Sequence, residues 1–171
     1  MKITPLANHI GALIDDVDLQ NISTDQFDLL YRAFLQHKVI FLRNQIMSAK
    51  DHLALGKRFG SLEEAHPFFA HVKDNDQVTI IESSPGNPPG ESFWHTDMTW
   101  QKTPPKCSIL HAQHLPKKGG DTIWCNMAQV WNDLPENEKR YLRTLKVSHE
   151  LHAFKGSRYD KEEDGENYAD K

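Results

Sequence analysis

Between Ser83 and Ser92 the chain reads Ser-Ser-Pro-Gly-Asn-Pro-Pro-Gly-Glu-Ser, with three prolines and two glycines. Proline fixes φ and lacks an amide donor, so neither a helix interior nor a central strand runs through such a stretch. It is a loop by composition. It delivers the chain directly into Phe93-Trp94-His95-Thr96-Asp97-Met98-Thr99-Trp100, a run of aromatic and β-branched residues that reads as a strand. A long loop feeding a strand that bears chemically active side chains is a common setting for binding chemistry.

In an extended strand, side chains at i and i+2 leave the same face, so His95 and Asp97 are expected to point the same way. An imidazole and a carboxylate so placed are two of the three ligands of a 2-His-1-carboxylate facial triad, which leaves positions open on a bound Fe(II). The tripeptide alone is weak evidence. A hydrogen-bonded His–Asp pair at a strand end gives the same pattern more often than a metal site does.

Composition narrows the classes. The chain has 171 residues, 38% of them hydrophobic, enough for one sizeable globular domain. A net charge of −4 gives no electrostatic case for nucleic acid or for an anionic membrane surface. No apolar run approaches transmembrane length, and the N-terminal residues lack a signal-peptide core, so the expected location is cytoplasmic. Cys107 and Cys125 lie in apolar runs and read as buried free thiols, a disulfide being the less favoured alternative. Ten histidines justify a search for a metal site.

Ile3 to Pro5 and Gly11 to Ile14 read as short strands. Ser23 and Gln26 form a capping box ahead of an apolar stripe at Phe27, Leu30, Tyr31, Phe34 and Leu35, which predicts an amphipathic helix. Val39 to Leu42 reads as a strand buried on both faces. Ser48 and Asp51 cap a second helix that reaches Phe59, with Gly60 at its C′ position. Further strands are expected at Gln77–Glu82, Cys107–Leu115, Asp121–Cys125 and Lys146–Glu150. The pair Lys117-Lys118 with Gly119-Gly120 marks a turn. Asn126 is expected to cap a short helix, and Pro135 to open another whose buried side is Tyr141, Leu142 and Leu145. There is no internal repeat.

Taken in order, eight stretches resemble the TauD/TfdA-type family of Fe(II)- and 2-oxoglutarate-dependent dioxygenases. They are Ile3-Thr4-Pro5-Leu6, Ile10-Gly11-Ala12, Val39-Ile40-Phe41-Leu42-Arg43, Arg58-Phe59-Gly60, His66-Pro67, Trp94-His95-Thr96-Asp97, Thr103-Pro104-Pro105 and Gly119-Gly120-Asp121-Thr122-Ile123-Trp124. The resemblance implies a mainly β fold with flanking helices: a double-stranded β-helix, or jelly roll, of the clavaminate synthase-like kind. Residues 1–154 would form a partial jelly-roll domain, and 155–171 a polar, acidic, mobile tail. The resemblance also implies Fe(II), 2-oxoglutarate as co-substrate, and O2. The activity would be hydroxylation of a small anionic organic substrate with release of succinate and CO2. Taurine or a related sulfonate is the first substrate implied, taurine giving sulfite and aminoacetaldehyde. An alkyl sulfate ester or a carboxylate is the alternative class.

Carried over by position, His95 and Asp97 match iron ligands, and Thr122 matches a threonine that binds a 2-oxoglutarate carboxylate. His66 matches a histidine that contacts the sulfonate. Two positions depart from the taurine-cleaving pattern: Phe69 stands in place of a tyrosine and Glu91 in place of an asparagine. A carboxylate close to a sulfonate repels it unless a cation intervenes. The family's third ligand, a distal histidine, and the arginine that follows it find no match. His111, His114, His149 and His152 do not fit that role. The chain therefore reads as an N-terminal portion of such a dioxygenase. The alternatives are a catalytically inactive jelly-roll fragment, a small-acid binding module, or a short relative that folds with a partner chain. Whether it forms a homo-oligomer is left open by the sequence.

Overall fold

The computed structural model describes residues 1–65, 69–84 and 94–149. Among these, five strands and four helices form two compact units. One is built from Met1–Phe59 with Leu110–Leu145, the other from the described residues of 60–109 with 146–149.

In the first unit, strand β1 (Lys2–Pro5) pairs antiparallel with β2 (Ala12–Asp15), with Ile3 opposite Ile14 and Thr4 opposite Leu13. Gly11 makes the entry to β2. It sits at φ +88°, a region that L side chains avoid, while its N–H donates to His37 O at 2.9 Å. Helix α1 (Thr24–His37) then carries the chain to β3 (Ile40–Leu42), which pairs parallel to β2. A parallel return needs such a crossover. The strand order is β1-β2-β3, so β2 is central and β3 is an edge. This corrects the expectation that 39–42 is buried on both faces: all three residues of β3 are half-buried, because an edge strand has one open flank.

The expected capping box is present: Gln26 N–H donates to Ser23 Oγ at 3.2 Å, and Ser23 N–H to Gln26 Oε1 at 3.0 Å. Phe27, Leu30 and Ala33 are buried on one side of α1, where the helix lies against β2 and β3. Helix α2 (Ala49–Phe59) docks beside it through aromatic rings. Phe59 meets Phe27 edge-on with centroids 5.0 Å apart and Phe34 at 6.0 Å. The Arg58 guanidinium lies 4.2 Å from the Phe27 ring centre and donates to Ile22 O at 2.9 Å. At the start of α2, Ser48 N–H donates to Asp51 Oδ2 and Asp51 N–H to Ser48 Oγ, while Gln20 Nε2 donates to the same carboxylate oxygen at 2.9 Å. The Gln20 and Ser48 bonds hold the Asp51 carboxyl below the ordinary carboxylate range.

The later part of this unit joins the sheet through Trp124, whose ring meets Phe41 edge-on at 5.4 Å. Asn126 caps α3 (Met127–Asp133), accepting from Gln129 N–H, and its amide donates to His9 O. Helix α4 (Glu136–Leu142) follows, with Pro135 one residue ahead of it at the N-cap position. Tyr141, Leu142 and Leu145 are exposed, which corrects the expected buried face: nothing among the described residues covers that side of α4. In the second unit, β4 (His71–Val72) and β5 (Asn75–Thr79) form an antiparallel hairpin, its turn made at Asp74 with φ +62°.

The segments 107–115 and 121–125, expected as strands, form no ladder among the described residues, nor does the described part of 146–150. A strand is assigned by its hydrogen-bonded neighbour, and no neighbour for these segments lies among the described residues. Their apolar side chains are correspondingly bare: Leu115 is 77% exposed and Ile123 69%. Among the described residues the buried apolar core is Ala12, Ile14, Leu19, Phe27, Leu30, Ala33 and Leu55, all from the first 59. Among the described residues no helix is long and apolar enough to cross a membrane.

Two expectations follow. Leu30→Ala, at a side chain 1% exposed, should lower the unfolding free energy by about 2–5 kcal/mol in urea denaturation. Asp51 has a depressed folded-state pKa, so its contribution is present above the unfolded carboxylate value and lost as pH falls through the folded one. The melting temperature of Asp51→Asn should therefore trail wild type at neutral pH and converge with it in acid.

Candidate metal-binding turn

His95 and Asp97 do not lie on a strand. Residues 94–96 are irregular and Asp97–Trp100 form a turn, closed by Gln101 N–H donating to Met98 O at 3.1 Å. Met98 takes a left-handed conformation, φ +51°, which bulky residues seldom adopt. The turn still brings the pair together: His95 Nε2 lies 3.2 Å from Asp97 Oδ1, and the side chains are 60% and 57% exposed. The expectation of a shared direction holds, while its cause is a turn rather than strand pleating.

The second carboxylate oxygen is also engaged. Ser108 Oγ–H donates to Asp97 Oδ2 at 3.0 Å. On the other flank, Thr99 Oγ1 lies 2.9 Å from His149 Nδ1, and Gln101 Nε2 donates to Glu63 Oε2 at 3.2 Å. Nothing in the sequence pairs Ser108 with Asp97. The contact arises because the chain bends back after Thr103-Pro104-Pro105, and no periodicity reports such a return.

Zinc-type nitrogen and carboxylate ligands sit about 2.0–2.2 Å from their ion, so two at a right angle lie roughly 3 Å apart. The separation of His95 and Asp97 fits two neighbouring ligands of one small divalent ion, and nitrogen plus carboxylate oxygen suits Fe(II). A hydrogen bond between the two side chains gives the same distance. Among the described residues there is no cluster of three or more His, Cys, Asp or Glu able to hold a metal. His111 is occupied elsewhere, Nε2 lying 3.2 Å from Gln45 O and Nδ1 2.8 Å from Gln113 Nε2.

Thr122 is exposed and belongs to the first unit, His95 and Asp97 to the second. Phe69 is half-buried just ahead of β4. His66, Glu91, His152 and the 155–171 tail lie outside the described residues. Cys107 and Cys125 are free, the first half-buried and the second exposed.

An imidazole and a carboxylate are two of the three ligands in the 2-His-1-carboxylate set of mononuclear non-haem iron oxygenases. The chain belongs to the taurine catabolism dioxygenase TauD, TfdA family, whose model matches residues 2–170. Members of this family use Fe(II), 2-oxoglutarate and O2. The chain is 32% identical to an alpha-ketoglutarate-dependent sulfate ester dioxygenase of Pseudomonas putida, over 80% of this chain and 45% of that protein. It is 30% identical to an alkylsulfatase of Acinetobacter baylyi, over 87% of this chain and 47% of that one. The crystal structure of a taurine dioxygenase from Burkholderia xenovorans superposes with a TM-score of 0.72 at 32% identity, covering 82% of this chain and 50% of that chain. The chain thus spans about half the length of the curated relatives it matches.

Burial raises the pKa of the Cys107 thiol. At mildly alkaline pH iodoacetamide should label exposed Cys125 well ahead of Cys107, an order read directly by peptide mass spectrometry.

Proposed function

We propose that this chain carries the iron-binding turn of an Fe(II)- and 2-oxoglutarate-dependent dioxygenase with a jelly-roll architecture. His95 Nε2 and Asp97 Oδ1 are the metal ligands in this reading. The observation that carries it is their 3.2 Å approach on an exposed turn, within a chain that the family model matches almost end to end. Bound iron would supply O2 activation coupled to decarboxylation of 2-oxoglutarate. The chain's own part is to hold the ion on one side and leave its remaining positions accessible, which the exposure of both side chains permits. Thr122, exposed just after Gly119-Gly120, is proposed to donate to a 2-oxoglutarate carboxylate.

The substrate class we propose is a small organic anion, bound near His66, Phe69 and Glu91. A sulfonate such as taurine is the first reading. A sulfate ester is the second, supported by the named activities of the two relatives above and by Phe69, which lacks the hydroxyl donor of a tyrosine. The phenyl ring favours an alkyl portion of the substrate over a further polar contact.

The test is anaerobic addition of Fe(II) and 2-oxoglutarate to the chain. A visible metal-to-ligand charge-transfer band should develop and be lost in His95→Ala. A band that survives this substitution unchanged would remove His95 from the metal site. Succinate release should then be compared for taurine and a short alkyl sulfate; release with neither supports the non-catalytic alternative.

A further inference from the structure

A carboxylate has two chemically equal oxygens and a terminal torsion with broad preferences, so an exposed aspartate does not by itself present a fixed oxygen. Asp97 is more than half exposed, and packing does not hold its rotamer. Its carboxylate partners among the described residues are two: His95 Nε2 at Oδ1 and Ser108 Oγ at Oδ2, the latter at 3.0 Å. The two contacts differ in kind. A metal ion held between His95 and Asp97 would replace the first, since a ligating nitrogen cannot also donate a proton. The second would persist, because it lies on the other oxygen.

We infer that Ser108 is a positioning residue for Asp97: its hydroxyl occupies Oδ2 and keeps Oδ1 turned toward His95 Nε2. This rests on the reading of His95 and Asp97 as metal ligands. The geometry supports it in three ways. The hydroxyl can donate only to the oxygen that faces away from the imidazole, so it breaks the symmetry of the carboxylate. The acceptor is a carboxylate, so the bond is charge-assisted, and at 3.0 Å it is long for its kind. The turn that carries Asp97 is tied separately, by Gln101 N–H to Met98 O and by the Thr99–His149 contact, so backbone placement does not depend on Ser108. What Ser108 controls is the side-chain torsion. Hydrogen bonds to a ligand's far atom orient it, and their loss typically weakens metal affinity about 10–100-fold.

Ser108 is exposed, so Ser108→Ala opens no cavity and the melting temperature should match wild type. The experiment is titration of the full chain with Co(II) as the probe, followed by calorimetry and by the visible ligand-field bands of the bound ion. Wild type should bind, His95→Ala should not, and Ser108→Ala should bind about 10–100-fold more weakly with altered bands. Ser108→Thr, which keeps the hydroxyl, should restore both affinity and spectrum. If Ser108→Ala binds as wild type does while His95→Ala has lost the ion, or if Ser108→Thr behaves like the alanine variant, the positioning role is overturned and the metal site stands. If His95→Ala binds as tightly as wild type, or wild type binds no Co(II), the metal assignment fails and Ser108's role fails with it.

Discussion

Ile14 and Leu30 are the largest side chains fully withdrawn from water, one on the central strand and one on the helix that crosses over it. The ordered part of the first unit depends on that burial. With β2 between an antiparallel and a parallel neighbour, one strand fixes the register of both, and α1 covers the sheet only because its stripe recurs with helical period. Phe59 extends the same apolar contact to α2, where Arg58 binds the Phe27 ring and the carbonyl ahead of α1 together. Each link adds to the one before it.

Residues 94–149 are held differently. From Trp94 to His149 none of the described side chains is buried, and the segments without ladders carry large apolar groups in contact with water. Hydrogen bonds and single ring contacts order what order there is: Trp124 on Phe41, His111 against Gln45, Ser108 on Asp97. The candidate metal-binding turn lies in this region. Its geometry rests on polar contacts, each of modest net worth in water, rather than on a packed core. That is why a single hydroxyl can matter to it.

The family match and the local geometry answer different questions. The match, spanning residues 2–170, identifies the family. It does not choose among sulfonate, sulfate ester and other organic acids, because that choice depends on a few side chains around the substrate. Phe69 and Glu91 are the positions where this chain differs from the taurine pattern. In the proposed reading both lie near the substrate, where each change removes or opposes a polar contact with a sulfonate and so bears on substrate preference rather than on the reaction type.

Capping boxes, the stripe of α1 and the Asn126 cap were legible in the sequence because helices are built from contacts three and four residues apart. The closeness of His95 and Asp97 was legible for a related reason: two residues apart in the chain, they stay neighbours whether the backbone forms a strand or a turn. What the tertiary structure alone decided is everything that depends on distant partners. It made β3 an edge, left 107–125 without ladders, exposed the face of α4, and set Ser108 on Asp97 across a double-proline bend. Strand pairing and side-chain approach at such separations are settled by which surfaces meet, and no local pattern in a sequence encodes that.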